Sequence, residues 1–314
     1  MATETVSGRG FVTIATGDPK YYRLAVNLLH SYRLNSKDPA PFSLICDRDC
    51  PEAREFDSFV LIDEPKRSYL DKLSLAQYIP YEETIFIDAD ALILSDTQIL
   101  WEDFADQPDF CCYGTQLPPE SREGWFFYED MGDLQPRLTY GVSMHGGLYY
   151  LRKTDSCKAI FDTALYFARH YHEYKFANFE HPADEPVLAL SMALAGVKPC
   201  PIRDRIIFLP SHEGKLRADR RGGFLLRNKP CDAPILHFGN RHIPRFLYQY
   251  LLATVEHRAG GKEGPLPFSA ELRLRLECLP LDAKVFIKRI FKMILPEKCV
   301  RFLVKRKKKA HKNA

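Results

Sequence analysis

The stretch "ETIFIDADALILSD" (residues 83–96) places two aspartates, Asp88 and Asp90, between the apolar runs "TIFI" and "ALIL". Alternate residues of a strand point to the same side, so the two carboxylates are predicted to face one point, while the small Ala89 lets another group approach the backbone. Neighbouring carboxylates repel each other unless a cation neutralises them. Oxygen ligands of this kind suit Mg²⁺ or Mn²⁺, which usually share their coordination with substrate phosphates. The stretch therefore predicts a divalent-metal site.

An Asp-Ala-Asp sequence can also mark only the end of a strand or a turn, where aspartate is common. The apolar runs on both sides favour a strand that continues into the fold, with its carboxylates at the carboxyl edge of a sheet, where open α/β folds bind ligands. A second pair with the same spacing, Asp47 and Asp49 in "DRD", has Arg48 between its members and leads into a polar segment. We expect a surface turn without a metal there.

Short β-rich apolar runs alternate with helix-like stretches through the first half of the chain. The runs are 10–16, 42–46, 59–62, 84–87 and 110–114, and helical periodicity covers 21–35 and 69–79. This alternation predicts an α/β fold with a parallel sheet. A strand at 146–153 and helices at about 156–174 and 185–196 follow, with Pro186 near the start of the last helix and Gly196 at its end.

Composition narrows the class of protein. The chain has 314 residues, of which 46% are hydrophobic and 27% charged, as expected for a globular protein. Its nine cysteines contain no CxxC pair, which argues against a disulfide framework or a zinc ribbon and favours a reducing compartment. The sequence shows no secretory signal and no run of about 18 apolar residues, so a cytoplasmic protein is expected.

The charge is unevenly distributed. Residues 284–314 carry twelve Lys or Arg against one acid, Glu297, so a net charge of +3 leaves −8 on the remainder. An acidic body does not suit a nucleic-acid-binding protein. From Ala283, apolar and basic residues alternate at helical spacing, which predicts an amphipathic tail on the cytoplasmic face of an anionic membrane. The alternative is a helix packed on the body, followed by a solvated basic end.

The segment "KLSLAQYIPYEETIFIDADALIL" (residues 72–94) resembles the metal-site segment of GT-A glycosyltransferases. It is most similar to glycosyltransferase family 8, which includes glycogenin and bacterial lipopolysaccharide hexosyltransferases. That family has a Lys or Arg heading a helix about sixteen residues before its DxD, and Lys72 precedes Asp88 by sixteen. The resemblance implies a Rossmann-like mixed sheet flanked by helices, and transfer of a hexose with retention of configuration.

Further positions extend the resemblance in chain order. In "TIATGDPKYY", Ala15, Thr16, Asp18 and Tyr21 match the family's loop beneath the uracil of a UDP-sugar, although Tyr21 also suits the covering of a helix. The family's strand beside the donor sugar and acceptor corresponds to "MHGGLYY". There His145 replaces an asparagine, and the two glycines that follow, Gly146 and Gly147, suit close approach of a ligand to the backbone.

Two carboxylates match the family's "DQ" pair. Asp184 stands for the aspartate and Glu185 for the glutamine, which lies near the anomeric carbon in family members. A carboxylate at that position can stabilise an oxocarbenium-like transition state or attack it. Alternatively, Asp184 caps the following helix and Glu185 interacts favourably with its dipole.

The segment "ILHFGNRHIPRF" resembles the family's "HFxGxxKPW", whose histidine is the third protein ligand of the metal. His237 takes that position, and an imidazole ligand favours Mn²⁺ over Mg²⁺. Gly239 comes one residue early and the family's lysine is absent, so the resemblance leaves Arg241 or His242 to bind the diphosphate.

These patterns together predict a GT-A domain over residues 8–258 and a basic, membrane-associating extension over 259–314. The expected activity is metal-dependent transfer of a hexose from a nucleoside diphosphate sugar to a glycan or glycolipid. Asp184, Glu185 and Lys72 are the expected catalytic residues, while Lys72, Asp88 and Ala89 join the nucleotide-sugar contacts. The alternatives are a sugar-phosphate nucleotidyltransferase and a noncatalytic nucleotide-sugar-binding module at a membrane.

Overall fold

The computed structural model describes residues 6–176, 180–202, 204–218 and 224–294. In these residues the strands are Val6–Ala15 (β1), Phe42–Cys46 (β2), Ser58–Leu61 (β3), Tyr81–Ile87 (β4), Ala91–Ile93 (β5), Phe110–Leu117 (β6), Gly141–Arg152 (β7), Ile206–Phe208 (β8), Leu216–Ala218 (β9), Phe224–Leu226 (β10), Lys229–Pro230 (β11) and Ile235–His237 (β12). The α-helices are Pro19–Asn35 (α1), Leu75–Tyr78 (α2), Gln98–Phe104 (α3), Asp155–Arg169 (α4), Asp184–Ala195 (α5), Phe246–Ala259 (α6) and Phe268–Ile294 (α7).

A six-stranded sheet with the order β3-β2-β1-β4-β7-β6 forms the centre of the described chain. Its first four strands are parallel, whereas β7 runs antiparallel to both β4 and β6. All five residues of β2 are buried, as expected for a strand covered on both faces. Buried side chains fall into two clusters, with Phe11 in one and Val12 in the other, because successive residues of β1 face opposite sides. The predicted mixed sheet flanked by helices is confirmed.

A small sheet with the order β5-β12-β8 joins the two halves of the sequence. β12 is antiparallel to β5, and its register places His237 opposite Ala91. The prediction that one strand runs through the paired aspartates is wrong. β4 ends at Ile87, and Asp88, Ala89 and Asp90 form a turn that leads from the central sheet to the small one.

Two helix starts differ in how their first turns are satisfied. Asp18 caps α1 by accepting a hydrogen bond from the backbone N–H of Lys20, and Pro19 occupies the first turn. α5 begins at Asp184 itself, and its N-cap is Ala183, without a side-chain hydrogen bond. The interpretation of Asp184 as the cap is therefore wrong. Gly196 ends α5 in the left-handed conformation, with φ of +72°, as predicted.

Two helices were predicted longer than they are. Residues 69–79 form a 3₁₀ helix, Tyr69–Ser74, followed by one turn of α2. The helix predicted to reach residue 174 ends at Arg169 and is followed by the short 3₁₀ segment Tyr171–Glu173.

The long helix α7 packs on the body through one face. Ala270 and Leu274 lie against the hydrophobic core, and Cys278 on the same face is buried. The carboxylate of Asp282 accepts a hydrogen bond from Nε of Arg245 at 2.8 Å. The predicted tail lies mostly outside this description, since residues 295–314 are not described and only the backbone of 284–294 is. Among the described helices, none is both long and apolar enough to cross a bilayer.

Candidate metal and donor site

The side chains of Asp88, Asp90 and His237 converge where the central sheet meets the small β5-β12-β8 sheet. One ligand atom from each lies within 4.8 Å of the other two. Nε2 of His237 lies 2.9 Å from Oδ1 of Asp90 and 3.6 Å from Oδ2 of Asp88. Within the described chain, these residues form the group of potential ligands with spacing suited to a metal ion. Two carboxylates and one imidazole are an appropriate donor set for a first-row divalent ion.

Backbone hydrogen bonds fix the turn that carries the aspartates. The N–H of Asp88 donates to the carbonyl of Gly147 at 3.0 Å, and the N–H of Ala91 closes the turn onto the carbonyl of Asp88 at 3.1 Å. The carbonyl of Asp90 accepts from the N–H of Phe238 at 3.0 Å. The turn is thus held by β7 on one side and by the residue after His237 on the other, which sets all three ligands relative to one another.

Gly146 and Gly147 admit the site's own side chains. A Cβ atom at Gly147 would lie 2.5 Å from Nδ1 of His237, and one at Gly146 would lie 2.6 Å from Cγ of Glu185. Both separations are shorter than any normal contact, so these positions accept only glycine without a shift of the neighbours. The lack of side chains thus accommodates His237 and Glu185, and the predicted approach of a ligand to this backbone stays a prediction.

Lys72 lies at the centre of the carboxylates. Its Nζ is 2.8 Å from Asp88, 3.2 Å from Oδ2 of Asp184 and 3.2 Å from the carbonyl oxygen of Gly146. Burial alone would lower the pKa of Lys72, but the charges of Asp184 and Asp88 outweigh it and raise that pKa. The hydroxyl of Tyr149 donates to Oδ2 of Asp184 at 2.8 Å. Lys72 is therefore charged, and it stabilises two buried carboxylates.

Glu185 adds a further acid to this cluster. Its Oε1 accepts a hydrogen bond of 2.7 Å from the N–H of Gly146. Burial, followed by the charge of Asp184, raises the pKa of Glu185 to about 7. Burial likewise raises the pKa of Asp88, although Lys72 opposes that shift. The cluster thus holds four acidic side chains against two that can be cationic, Lys72 and His237, and this excess of acid favours binding of a cation.

Asp90 and His237 form a charge-assisted pair. Burial would raise the pKa of Asp90, but the charge of His237 and its hydrogen bond lower it overall. Burial would lower the pKa of His237, yet Asp90 raises it. Nδ1 of His237 is buried and has no hydrogen-bond partner among the described residues. The Asp90 contact therefore orients the ring through Nε2, the atom that faces both aspartates.

His145 supports the ring of His237. The two rings lie 5.1 Å apart, nearly perpendicular, and Phe208 packs against both. Burial, together with the charges of His237 and Lys72, lowers the pKa of His145 to about 3, so this ring is neutral and its Nδ1 accepts from the N–H of Gly147 at 3.0 Å. The sequence predicted no role for Phe208 or Tyr149, since isolated aromatic residues carry no signal of a site.

The β1–α1 loop lies beside this cluster. Ala15 ends β1, and the hydroxyl of Thr16 donates to Oδ2 of Asp71 at 2.7 Å. Asp18 is the exposed N-cap of α1, and the hydroxyl of Tyr21 accepts from Nδ2 of Asn240 at 3.3 Å. The last contact brings the loop next to the segment that follows His237. The predicted base-binding residues and the aspartates thus belong to one region.

The segment after β12 turns at Gly239, where φ is +69°, into the 3₁₀ helix Asn240–His242. His242 is buried, and burial together with the charge of Arg245 lowers its pKa to about 4. Its Nε2 accepts a hydrogen bond of 2.9 Å from Nε of Arg241. Most of the Arg241 side chain is exposed. Of the two residues predicted to bind diphosphate, Arg241 is the one that presents a charge to solvent.

The pair in "DRD" is arranged differently. Oδ2 of Asp47 accepts from the N–H of Gly17, whereas the carboxylate of Asp49 pairs with Arg54 at 2.9 Å. These two carboxylates have separate partners, although their spacing in the sequence equals that of Asp88 and Asp90.

A cavity of about 1110 Å³ lies elsewhere, lined by side chains of α4 and α5 such as Ile160, Phe167 and Leu194. None of the charged residues of the Asp88 cluster lines it. Convergence of buried charge, rather than cavity size, identifies the candidate site.

Similarity to known proteins is visible in the structure alone. No protein-family model and no curated protein sequence matches the chain. Among solved structures, it is similar to the galactosyltransferase LgtC in complex with donor and acceptor sugar analogs, with a TM-score of 0.52 and 15% identity over 83% of this chain and 98% of that one. A structure of LgtC with an active-site glutamine replaced by glutamate matches equally well.

A third likeness is to the glycosyltransferase GlyE of Streptococcus pneumoniae. Its TM-score is 0.50, with 13% identity over 82% of this chain and 66% of that one. With the mixed sheet and flanking helices described above, these likenesses show that the chain has a GT-A glycosyltransferase fold.

Proposed function

We propose that this protein is a metal-dependent glycosyltransferase that moves a hexose from a nucleoside diphosphate sugar to a hydroxyl group of a glycan or glycolipid. The donor that we propose is a UDP-sugar. The observation that carries this proposal is the convergence of Asp88, Asp90 and His237 in a GT-A fold. The similar structure of the galactosyltransferase LgtC, in complex with donor and acceptor sugar analogs, supports the same class of substrates.

The proposed cofactor is Mn²⁺, with Mg²⁺ as the alternative. Asp88, Asp90 and His237 would hold it, and the surplus of buried carboxylates beside them supports a divalent ion. When bound, such an ion neutralises the negative charge that develops on the departing diphosphate. The imidazole favours Mn²⁺ because Mg²⁺ prefers ligands that are all oxygen.

Arg241 is proposed to bind the diphosphate. His242 is proposed to hold the Arg241 side chain in position. His242 is buried and neutral, so it offers the diphosphate no charge, but its ring accepts a hydrogen bond from Arg241. Arg245 and Glu213 hold the His242 ring and the Arg241 side chain from the other side. A guanidinium held in this way suits a phosphate oxygen.

Asp184 and Glu185 are proposed to face the sugar. In the transfer, the bond between the anomeric carbon and the diphosphate oxygen breaks with its electron pair leaving on the diphosphate. A bond to the acceptor oxygen forms, and the proton of the acceptor hydroxyl passes to an oxygen of the departing diphosphate. A carboxylate at Glu185 would stabilise positive charge on the anomeric carbon. Retention of configuration follows from the resemblance to glycosyltransferase family 8.

A membrane-surface location is part of the proposal. The described part of α7 supports it, because Phe268, Leu272, Leu276 and Leu279 form an exposed apolar face opposite the face that packs on the body. The basic residues of 284–314 continue the same chain. An apolar face followed by cations suits an anionic bilayer. This arrangement would bring the domain of residues 8–258 close to a lipid-linked acceptor.

The test measures release of UDP from a panel of UDP-hexoses, with Mn²⁺ and with a chelator. We expect Mn²⁺-dependent release from at least one donor, and a fall of about 100-fold or more in Asp90→Asn, because the metal contributes several kcal/mol of charge stabilisation. The matched control is Asp49→Asn, which has the same spacing to a second aspartate and should retain wild-type rates.

Two results would favour a different function, and a third would contradict the proposed metal ligands. Failure to release UDP from every donor, despite nucleotide binding, would favour a noncatalytic nucleotide-sugar-binding module. Release of pyrophosphate from a nucleoside triphosphate and a sugar phosphate would favour a nucleotidyltransferase. Equal rates in Asp90→Asn and wild type would contradict the assignment of the metal ligands.

A further inference from the structure

Arg67 lies across the β1–α1 loop in a conformation that its backbone does not favour. It precedes the 3₁₀ helix Tyr69–Ser74, and its φ is +54°, in the left-handed region. Its stem lies against Gly17, where an added Cβ would be 3.2 Å from Cβ of Arg67. Strained positions outside glycine are concentrated at functional sites, which makes this arginine a candidate for a role.

The position of the guanidinium is fixed by Asp47. Nε of Arg67 donates to Oδ2 of Asp47 at 3.0 Å, and the Asp47 side chain is only 1% exposed. The same carboxylate accepts from the N–H of Gly17 and from the hydroxyl of Tyr22. Asp47 thus ties the end of β2, the start of α1 and Arg67 together, and it determines the direction in which the guanidinium points.

A second carboxylate holds the loop that carries Arg67. Asp71 accepts from the backbone N–H of Lys66 at 2.6 Å and from the hydroxyl of Thr16 at 2.7 Å. The loop is therefore fastened to the end of β1 as well. The Arg67 side chain is nevertheless 64% exposed, and its terminal N–H groups make no hydrogen bond to any described residue. These N–H groups are therefore fixed in position and can donate hydrogen bonds to a ligand.

Tyr69 presents a second exposed side chain in this segment. It follows Arg67 by two residues and begins the 3₁₀ helix Tyr69–Ser74, after the extended N-cap Ser68, with φ of −149° and ψ of 179°. Tyr69 is 61% exposed. Burial of its hydroxyl, followed by the charge of Tyr21, raises the pKa of Tyr69, and Asp90 adds to the shift. Tyr69 thus offers an exposed ring within electrostatic range of Tyr21 and Asp90.

We propose that Arg67 selects the nucleobase of the donor by donating to the oxygen at O4 of uracil, or to its counterpart O6 of guanine, while Tyr69 adds an aromatic contact to the base besides the one predicted for Tyr21. A guanidinium only donates hydrogen bonds, so it pairs with O4 or O6 and is mismatched to the amino group that cytosine and adenine carry at the same place, although cytosine also has a carbonyl oxygen at O2. This inference rests on the proposed nucleotide-sugar function. It adds a physical reason why the site would bind one nucleotide more tightly than another.

The test measures dissociation constants of UDP, CDP, GDP and ADP by calorimetry in the presence of Mn²⁺. Wild type should bind UDP about tenfold more tightly than CDP, as one good hydrogen bond allows. Arg67→Ala should weaken UDP by that factor, leave CDP nearly unchanged and bring the UDP-to-CDP ratio close to one. Tyr69→Ala should weaken both by roughly tenfold and preserve the ratio, since stacking does not distinguish them.

Arg54→Ala is the matched control, because Arg54 also pairs with an aspartate of "DRD", Asp49, but on the exposed side of the turn. It should leave all four constants unchanged. An unchanged ratio in Arg67→Ala, or equal binding of UDP and CDP by wild type, would overturn the inference and leave the proposed function standing. Preference for GDP over ADP, lost in Arg67→Ala, would keep the carbonyl selection and assign the donor to guanosine. Failure of all four nucleotides to bind would reject both.

Discussion

The positive charge of Lys72 compensates the negative charge of the carboxylates in the candidate site. It is largely buried and contacts both Asp88 and Asp184. Removing one partner of a buried ion pair leaves an uncompensated charge, which costs far more than the pair itself contributes. Lys72 should therefore matter for folding as well as for the donor.

Replacement of Lys72 by methionine, which keeps most of the side chain and removes the charged ammonium group, should lower the free energy of unfolding by about 3–5 kcal/mol in metal-free buffer. Urea denaturation measures this. The control is Lys158→Met, whose exposed pair with Asp162 should change stability by less than about 0.5 kcal/mol. Similar losses in the two variants would contradict the assigned balance of charge.

Glu185 gives the site a pH dependence. Its pKa in the folded protein, about 7, lies above its ordinary value of 4.5. The folded state therefore holds the proton more tightly, and the stability that Glu185 contributes below pH 4.5 is lost as pH rises through about 7. Glu185→Gln, which keeps the acceptor for the N–H of Gly146, should be more stable than wild type above pH 7 and similar near pH 4.5. Thermal unfolding of both proteins in a chelator across this range checks it, and a constant difference would contradict it.

Asp88 and Asp90 followed from the sequence because their Asp-Ala-Asp pattern lies between two apolar runs, whereas His237 was reached through the resemblance of "ILHFGNRHIPRF" to the histidine segment of glycosyltransferase family 8. The hydroxyl of Tyr149 and the ring of His145 could not be assigned contacts in the same way. Their partners, Asp184 and His237, are far away in the chain. Only the pairing of strands brings them together, and a single sequence does not specify that pairing.

β7 contributes two glycines, Gly146 and Gly147, to the site, and their lack of a side chain lets neighbouring residues lie close to the strand. The strand runs between β4 and β6, and the rings and carboxylates from β12 and α5 approach it closely. The position of this strand therefore sets the position of His237, the proposed ligand.

Gly147→Ala should displace His237, because the new Cβ would lie 2.5 Å from Nδ1 of the ring. We expect Mn²⁺ affinity, measured by calorimetry, to fall by about 10–100-fold, as it does when the support of a ligand is lost. Gly141→Ala in the same strand is the control, since its nearest neighbour would be 3.6 Å away. Equal affinities in both variants would show that His237 does not bind the metal.

The six strands of the central sheet were predictable to within about five residues, since their apolar runs are short and bounded by turns, whereas the short strands β8–β11 were not predicted. The break at Asp88 was not, because apolar residues continue on both sides of it and periodicity alone does not show that the chain changes sheets. The start of α7 at Phe268, well before the predicted amphipathic tail at Ala283, was also missed.

At the scale of the whole molecule, the helix α7 leaves an apolar face uncovered by the other described residues. α7 packs by one face and exposes the opposite one, where Phe268 is 73% and Leu276 is 63% exposed. An apolar face of this kind usually marks an interaction surface. The basic sequence after it supports the proposed anionic membrane surface as the partner.

The full chain should therefore bind vesicles that contain phosphatidylglycerol, and binding should weaken as salt screens the basic residues. Leu276→Glu combined with Leu279→Glu should reduce co-sedimentation with vesicles by about tenfold or more. Leu61→Glu changes an exposed leucine of β3 and should have no effect. Undiminished sedimentation of the double variant would contradict a membrane contact through α7.

The turn at Asp88–Ala89–Asp90 lets the first third of the chain share a ligand set with residue 237. A cation held there would close a loop of 147 residues between Asp90 and His237, and it would reduce the conformational entropy of the unfolded chain to the extent that it stays bound. By mass action, the same ion would stabilise the folded state. The proposed catalytic ion would thus also act as a cross-link, so that donor binding and the integrity of the small β5-β12-β8 sheet are thermodynamically linked.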